Sequence, residues 1–257
     1  MMKIEDGTLI GMVHLDPLLG SPSYDDLQDI IGSALRDARA LERGGVDAVL
    51  VENYGDKPYS LKVSEETYDA FLKICSEIKD EIEVPTGVNV LRNDWKSALK
   101  IAKELNLDFV RINVYVGITM TEQGIIEGES DKIQRFKKEN GINASIFSDI
   151  YVKHGKTVYP ESIETAAKDT VERGCADAVI VSGCRTNEPV DIDDLKKVRG
   201  AVEVPVLVGS GVRLSNANKI LKCSNGAIIG SAFKHGGITE NKVNRTRVEN
   251  FVRFLKS

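Results

Sequence analysis

The chain has 257 residues, a hydrophobic fraction of 42% and a formal net charge of −5. This length and composition allow a full hydrophobic core, while the acidic balance lacks the excess of Lys and Arg that binds nucleic acid, so we predict no nucleic-acid partner. No stretch approaches the roughly 18 consecutive apolar residues of a membrane span, and the N-terminus lacks a secretory signal pattern, so we expect a cytoplasmic protein without a membrane span.

Eight short apolar runs, rich in β-branched residues, follow one another along the chain. Their length and continuity are typical of buried parallel strands. Segments with a helical spacing of apolar residues lie between the runs, and several end in a stop signal that contains Gly or Asn. The runs cover residues 8–13, 48–51, 84–90, 109–114, 142–147, 178–181, 204–208 and 227–229.

Eight strand–helix units in about 250 residues predict a (β/α)8 TIM barrel, which we expect to form one domain over residues 1–257. The turns ERGGVDAVLVEN and ERGCADAVIVSG are near copies, so two parts of the chain repeat each other. A doubly wound open sheet is the alternative, but it would carry a Gly-rich turn after its first strand. Here the first run is followed by HLDP at residues 14–17, which favours the barrel.

Polar residues at the carboxyl ends of the predicted strands are the candidates for a site, because those ends build the active site of such barrels. Carboxylates and imidazoles there would transfer protons, and amides, hydroxyls and cations would orient a substrate or stabilise an oxyanion. The predicted catalytic residues are His14, Glu52, Asp149 and His154. The predicted substrate-binding residues are Asn89, Arg92, Arg111, Asn113, Lys153 and Ser182.

Several residues near these ends also have structural interpretations. Asp94 precedes a helical run and is predicted to cap it, and Asn53 and Asp56 lie in a stretch that favours turns. Lys153 would form a Schiff base in an aldolase-type reaction, although a lysine at this place more often provides charge.

A divalent metal is chemically reasonable at these strand ends but is not favoured, and the sequence identifies no other cofactor. The ligands of such a metal ion would be Glu52, Asp56, Asp149 and His154. The four cysteines are widely spaced without a CxxC motif, which argues against a zinc site or a redox pair. Cys184 is the exception of interest, because it follows a strand end.

Two runs near the C-terminus end in glycine and serine. Gly209, Ser210 and Gly211 follow the seventh strand, and Gly230 and Ser231 follow the eighth. Backbone without side chains lets an anion approach the amide groups at a helix N-terminus, and these two loops are a frequent phosphate site in barrels. We therefore predict a phosphate site there rather than turns alone, with charge from Arg213 or Lys234.

The predicted loop over residues 115–130 is unusually long for a compact barrel. Such loops are typical of lids or binding segments. Its glycines allow bending, and Glu122, Gln123 and Glu127 would reach either into the site or toward another subunit of a homo-oligomer. Both interpretations are open at this point.

The ordered motifs of the chain resemble those of a known family over nearly the whole length. They include GMVHL (11–15), VEN (51–53), GVNVLRND (87–94), RINV (111–114), VKH (152–154), AVIVSG (178–183) and PVLVGSGV (205–212). The resemblance is to the BtpA/SgcQ family, and it implies a (β/α)8 barrel related to phosphate-binding barrels. Leu19 stands where the family usually has proline, and Thr186-Asn187 replaces the common Thr-Gly.

These observations predict an enzyme that acts on a phosphorylated sugar or nucleoside-like metabolite, with isomerase, lyase and glycosyl or phosphoribosyl chemistry all open. The family is named for a protein implicated in photosystem I biogenesis and for a product of a sugar-metabolism gene cluster, so the resemblance implies a non-catalytic assembly factor as an alternative. A ligand-binding regulator on a barrel scaffold is the third possibility. The polar rim favours the enzyme, since an assembly factor need not keep it.

Overall fold

The computed structural model describes residues 2–183 and 188–256, so Cys184 and the Thr186-Asn187 pair lie outside the described residues. Its strands, numbered in chain order, are β1 (Thr8–His14), β2 (Ala48–Glu52), β3 (Thr86–Asn89), β4 (Phe109–Ile112), β5 (Ile118–Thr121), β6 (Gly124–Glu127), β7 (Ser145–Ile150), β8 (Gly155–Tyr159), β9 (Ala178–Val181), β10 (Val206–Val208) and β11 (Gly226–Ile229). Its helices are α1 (Leu27–Gly44), α2 (Glu65–Glu81), α3 (Trp95–Glu104), α4 (Ser130–Glu139), α5 (Ile163–Lys168), α6 (Ile192–Ala201), α7 (Leu214–Leu221) and α8 (Arg245–Lys256).

Eight of the strands in these described ranges close into a parallel barrel, in the order β1-β2-β3-β4-β7-β9-β10-β11 and back to β1. The last strand pairs with the first, with Thr8 opposite Gly226. This confirms the predicted (β/α)8 barrel. The fifth barrel strand, β7, begins three residues later than predicted, because buried Ile142 and Ala144 pack beneath the sheet before pairing starts at Ser145.

The core has two layers, one between the strands and the surrounding helices and one inside the barrel. The inner layer includes Ile10, Leu50, Phe109, Phe147 and Ile180. The rings of Phe109 and Phe147 stack with their centroids 4.7 Å apart. Large inward side chains face small ones, as the close packing of a barrel interior requires: a Cβ on Gly87 would lie within 2.5 Å of the Phe109 ring.

The amino end of the barrel carries one repeated device, which we call the backbone clamp. A clamp residue stands just before β2, β4, β9 or β11. Its side chain accepts a hydrogen bond from the backbone N–H of a residue in the preceding barrel strand. Its own backbone N–H donates to the carbonyl oxygen of that strand residue. The side-chain bonds are 2.7–3.0 Å long, and the return bonds are 2.8–2.9 Å. The pairs are Asp47–Leu9, Asp108–Thr86, Asp177–Ile146 and Asn225–Val206.

The near-copy turns of the sequence contain two of these clamps, Asp47 and Asp177. The clamps join the strand pairs β1–β2, β3–β4, β7–β9 and β10–β11, so the repetition comes once per quarter of the barrel.

A small antiparallel sheet lies outside the barrel and was not expected from the sequence. Strands β5 and β6 form a hairpin within the predicted long loop, and β8 adds to the other side of β5. The strands are only four or five residues long. One face of this small sheet is covered, and there the hydroxyl groups of Thr119 and Thr157 lie 3.3 Å apart. The other face exposes Met120 and Ile125 to solvent.

Among the described helices, none combines the length and apolar character needed to cross a membrane.

Candidate active site

A cavity of about 480 Å³ opens at the carboxyl end of the barrel. Most of the predicted site residues line it: His14, Glu52, Arg92, Arg111, Asn113, Lys153, His154, Gly209, Ser210, Gly211, Gly230 and Ser231. Asn89, Asp149 and Ser182 stand behind this lining. Asn89 and Asp149 hydrogen-bond residues that line the cavity, and a Cβ on Gly209 would lie 2.5 Å from the Ser182 hydroxyl.

The floor of the cavity is an ion pair that links β4 to β7. The Arg111 guanidinium donates to both oxygens of Asp149, at 3.0 and 2.8 Å, and Asn113 donates to the same carboxylate at 2.8 Å. Arg111 is 3% exposed. Burial lowers the pKa of Arg111, but the charge and hydrogen bonds of Asp149 outweigh it and raise that pKa. Both Asp149 oxygens are therefore engaged, an arrangement suited to positioning Arg111 rather than to proton transfer.

Glu52, at the end of β2, places a buried carboxylate in the lining of the cavity. Its Oε2 lies 3.9 Å from the Arg111 guanidinium, and its Oε1 lies 3.8 Å from Nε2 of His14. Burial raises the pKa of Glu52, and the positive charges of Arg111 and Lys153 offset part of that rise. A carboxyl group with a raised pKa next to a ligand cavity is suited to general acid–base catalysis.

His14, next to Glu52, forms part of an aromatic wall of the cavity. Its ring stacks on Tyr54, with the ring centroids 4.6 Å apart, and the Tyr59 hydroxyl donates to the Tyr54 carbonyl oxygen at 2.8 Å. Burial lowers the pKa of His14 well below its ordinary value, and the charges of Lys234 and Lys153 lower it further. His14 is therefore a neutral imidazole near pH 7.

Lys153 extends from the loop after β7 toward the glycine-lined side of the cavity. Its ammonium donates to the carbonyl oxygen of Gly209 at 3.2 Å, and its own carbonyl oxygen accepts a 2.6 Å hydrogen bond from Arg92. Burial lowers the pKa of Lys153 to about 8, and the charge of Arg111 acts in the same direction. His154, the next residue, is exposed at the rim with a backbone φ of 55°.

The two glycine–serine loops form one side of the cavity, as their places after β10 and β11 predict. Part of their hydrogen-bonding capacity is already used. Gly209 donates its amide to Val181, and the Ser210 hydroxyl accepts from Gly183 at 3.0 Å and donates to Glu188 at 3.3 Å.

Glycine is required at two places in these loops. Gly211 has a φ of 69°, and a Cβ there would meet the Glu188 carbonyl oxygen at 2.2 Å. A Cβ on Gly230 would lie 2.9 Å from the His14 ring. Of the two predicted sources of charge, Arg213 is exposed at the start of α7 and Lys234 is buried near Asp37, and neither is among the described residues that line the cavity.

Two asparagines hold the loops around the cavity, each with two hydrogen bonds from its side-chain amide to the backbone of one residue. Asn53 accepts from and donates to the backbone of Leu91, at 2.7 and 3.3 Å, and Asn93 does the same with Val114, at 2.8 and 3.0 Å. Asp94 accepts from the Ser97 amide at the start of α3, which confirms the predicted helix cap.

The alternative metal site is not assembled. One Asp56 oxygen accepts from the Leu18 amide at 2.7 Å and the other from Asn53 at 2.9 Å, so this carboxylate holds a turn. Within the described part of the chain, no group of three or more His, Cys, Asp or Glu side chains is placed to hold a metal ion.

Sequence reasoning missed the aromatic wall and left the role of the hairpin tip open. Tyr54 and Tyr59 lie in a stretch that reads as a turn, and nothing in its pattern shows that the rings face inward. The hairpin between β5 and β6 brings Glu122 and Gln123 to the cavity. Glu122 lies 3.7 Å from Nε of Arg92, so the predicted reach into the site is confirmed for Glu122 and Gln123, and the contact with another subunit stays a prediction.

The family model named BtpA family matches residues 5–257. The chain belongs to the BtpA family. Two relatives of this BtpA-family chain span nearly its whole length. An uncharacterized protein of Pyrococcus horikoshii is 42% identical over 257 residues, which are 100% of this chain and 98% of that one. The photosystem I biogenesis protein BtpA of Synechocystis sp. is 36% identical over 250 residues, which are 96% of this chain and 87% of that one.

The fold of this BtpA-family chain is similar to that of an enzyme of known structure. N-(5'-phosphoribosyl)anthranilate isomerase of Pyrococcus furiosus matches with a TM-score of 0.62, over 97% of this chain and 98% of that one. The sequence identity is 15%, so the match concerns the fold alone.

Proposed function

We propose that this protein is an enzyme that acts on a phosphorylated sugar or nucleoside-like metabolite. The observation that carries the proposal is the cavity itself, whose two halves have different chemistry. One half is lined by the glycines after β10 and β11, and the other by buried charged groups around Arg111 and Glu52. A metabolite with a phosphate at one end and hydroxyl or carbonyl groups at the other matches both halves.

The phosphate would bind at the glycine-lined half. Because the Gly209 amide and the Ser210 hydroxyl are already engaged, we assign the contact to the backbone of Gly211 and Gly230. Lys153 lies beside this surface and adds positive charge when it is protonated. The name of the P. furiosus structural neighbour refers to a phosphoribosyl compound, which is consistent with this assignment.

Chemistry would take place at the other half. Glu52 would donate or accept the proton, and the Arg111 guanidinium, held rigidly by Asp149, would stabilise negative charge that develops on oxygen. The planar wall of His14 and Tyr54 would limit the shape of the group between them.

The relative from Synechocystis, named for photosystem I biogenesis, supports the alternative of a non-catalytic assembly factor. The buried polar atoms around the cavity favour the enzyme. His14 Nδ1, Asn89 Oδ1 and Gln123 Oε1 have no hydrogen-bond partner among the described residues. A buried polar atom of this kind takes its partner from a bound ligand or from ordered water, so these atoms can help to orient the polar groups of a substrate, a capacity that an assembly surface does not need.

Binding of inorganic phosphate and of sugar phosphates tests the first half of the proposal, with titration calorimetry as the measurement. Gly230→Asp places a carboxylate against the assigned site and is expected to weaken phosphate binding at least tenfold. Gly200→Asp is the matched control, because a side chain at Gly200 meets no atom within 4 Å. Failure of the wild-type chain to bind any phosphate compound, or equal weakening by both variants, would contradict the assignment.

Turnover tests the second half. Once a bound sugar phosphate is found, Glu52→Gln should abolish its conversion while inorganic phosphate still binds, because the phosphate contact is assigned to the glycine loops and not to Glu52. Full turnover by Glu52→Gln would show that the proton donor is a different group. Binding without any turnover by the wild-type chain would favour the regulator or the assembly factor.

A further inference from the structure

We propose that Lys153 is a catalytic nucleophile that forms an imine with the carbonyl carbon of a phosphorylated aldehyde or ketone. This inference rests on the proposed function and names the substrate class: a small carbonyl compound with a phosphate ester a few bonds from the carbonyl group.

The Lys153 amine lies next to the loop assigned to the phosphate. The Lys153 nitrogen lies 3.2 Å from the carbonyl oxygen of Gly209, the residue that opens the loop assigned to the phosphate. The hydrogen bond from Arg92 to the Lys153 carbonyl oxygen fixes the backbone from which the side chain extends. A ligand whose phosphate sits on the adjacent loop would therefore present its nearest carbons to this nitrogen.

The surroundings of the Lys153 amine favour its neutral form. Lys153 shares the cavity with the guanidinium groups of Arg92 and Arg111, which offset part of the opposing charge of Glu52 and Asp149, and its ammonium donates to a neutral carbonyl oxygen, that of Gly209. Desolvation and neighbouring positive charge both favour the neutral amine, which is the nucleophilic form. The pKa of about 8 agrees with this surrounding, since it leaves a useful fraction of neutral amine near pH 7.

Glu52 lines the same cavity and can carry the protons that imine formation requires. The neutral amine attacks the carbonyl carbon, so a C–N bond forms and the carbonyl π electrons move to oxygen. Glu52, whose pKa burial raises, in its protonated form gives a proton to that oxygen and then removes a proton from the nitrogen of the carbinolamine. Return of this proton to the hydroxyl group releases water and leaves the protonated imine, with Glu52 as a carboxylate. No oxidant or reductant is needed, and the Arg111 guanidinium next to Glu52 stabilises the transient oxyanion.

Borohydride trapping on the full chain tests this inference. The probes are dihydroxyacetone phosphate, a ketone, and glycolaldehyde phosphate, an aldehyde, each added with sodium borohydride and followed by intact mass and peptide mapping. We expect one reduced adduct per chain, on Lys153. The adduct should be absent in Lys153→Arg and retained in Lys156→Arg, an exposed lysine on β8 outside the cavity lining.

Two further readouts separate a catalytic amine from a lysine that only provides charge. Trapping by dihydroxyacetone without phosphate should be at least tenfold slower, and excess inorganic phosphate should protect Lys153. The trapping rate should rise as the pH increases through about 8 and then level off, because the neutral amine is the reactive form.

Adducts spread over exposed lysines, or equal labelling of the wild-type chain and Lys153→Arg, would overturn the imine. Absence of any adduct with both probes would also overturn it. If calorimetry shows that the chain still binds inorganic phosphate, the proposed function survives that result. If no phosphate compound binds, the proposed function fails as well.

Discussion

The two ends of the barrel use buried polar groups in opposite ways. At the amino end, each clamp is completed by the protein itself: the Asp or Asn side chain accepts one backbone N–H, and its own N–H is donated in return. At the carboxyl end, five side-chain atoms that are buried at or behind the cavity have no hydrogen-bond partner in the described ranges. They are His14 Nδ1, Asn89 Oδ1, Arg92 Nε, Gln123 Oε1 and Ser182 Oγ.

This difference indicates which end is built for stability and which for a ligand. A buried polar group without a partner costs free energy, so the chain has a reason to complete every one it can. The clamps show that short polar side chains in this fold are readily completed by backbone. Among the described residues, five of the eight such atoms lie at or behind the cavity, where a ligand or ordered water can complete them. Three predictions test the comparison, in order of expected effect.

The largest loss of stability should come from Asp149→Asn at the carboxyl end. The change leaves the buried Arg111 cation with Glu52, 3.9 Å away, as its remaining carboxylate. We expect the free energy of unfolding to fall by about 3 kcal/mol, as when one partner of a buried ion pair is removed. Urea unfolding measures it. The double variant Arg111→Met/Asp149→Leu removes both charges and should recover most of the loss; a loss below about 1 kcal/mol in Asp149→Asn alone would argue against a tight pair.

A smaller loss is expected at the amino end. Asp177→Ala removes one clamp and leaves the Ile146 amide without its acceptor, which should cost about 1–2 kcal/mol of unfolding free energy without changing phosphate affinity. Asp177→Asn should be nearly neutral, because Asn225 performs the same clamp. Urea unfolding and calorimetry on the same preparations check both parts. A clamp variant that loses phosphate binding while it remains folded would break the division between the two ends.

The smallest effect should be a gain. Lys153→Met removes a cation whose pKa the fold lowers from 10.5 to about 8. Between these values the unfolded chain binds more protons than the folded chain, so wild-type stability rises with pH across this window and carries its full penalty below pH 8. Because Lys153 is only partly buried, solvent screening leaves about 1 kcal/mol of this penalty, so the variant should melt roughly 2–4 °C higher at pH 7. Thermal melts at pH 7 and pH 10.5 test the sign: the advantage should disappear at the higher pH.

The barrel is predictable from the sequence because its physics is local. Continuous β-branched runs and Gly- or Asn-terminated helical segments identify each unit, and eight units leave few other architectures. The hairpin of β5 and β6 is not predictable in this way. Its strands are short and half exposed, and they pair with β8, which follows more than thirty residues later. Their apolar residues therefore form no continuous run.

The site is predictable as a set of strand ends, but the partners within it are not. Asp149 and Glu52 are equivalent in the sequence, each a carboxylate at the end of a strand. Only the 38-residue contact from Arg111 to Asp149 shows that one is engaged and the other faces the cavity. Ser210 similarly looks like a phosphate ligand until its bond to Glu188 is visible.

The fourth clamp differs from the others by one atom type, and this has a consequence for how the chain folds. Asn225 has an amide where the other clamps have a carboxylate, and its Nδ2 donates to Asp6 at 2.7 Å across 219 residues. The clamp bonds themselves join residues only 19 to 38 apart. Contacts close in sequence form fast and distant ones late, so quarters of the barrel would assemble first and the seam between β11 and β1 would close last. Asn225 takes part in both steps and so couples the final closure to a unit that is already formed.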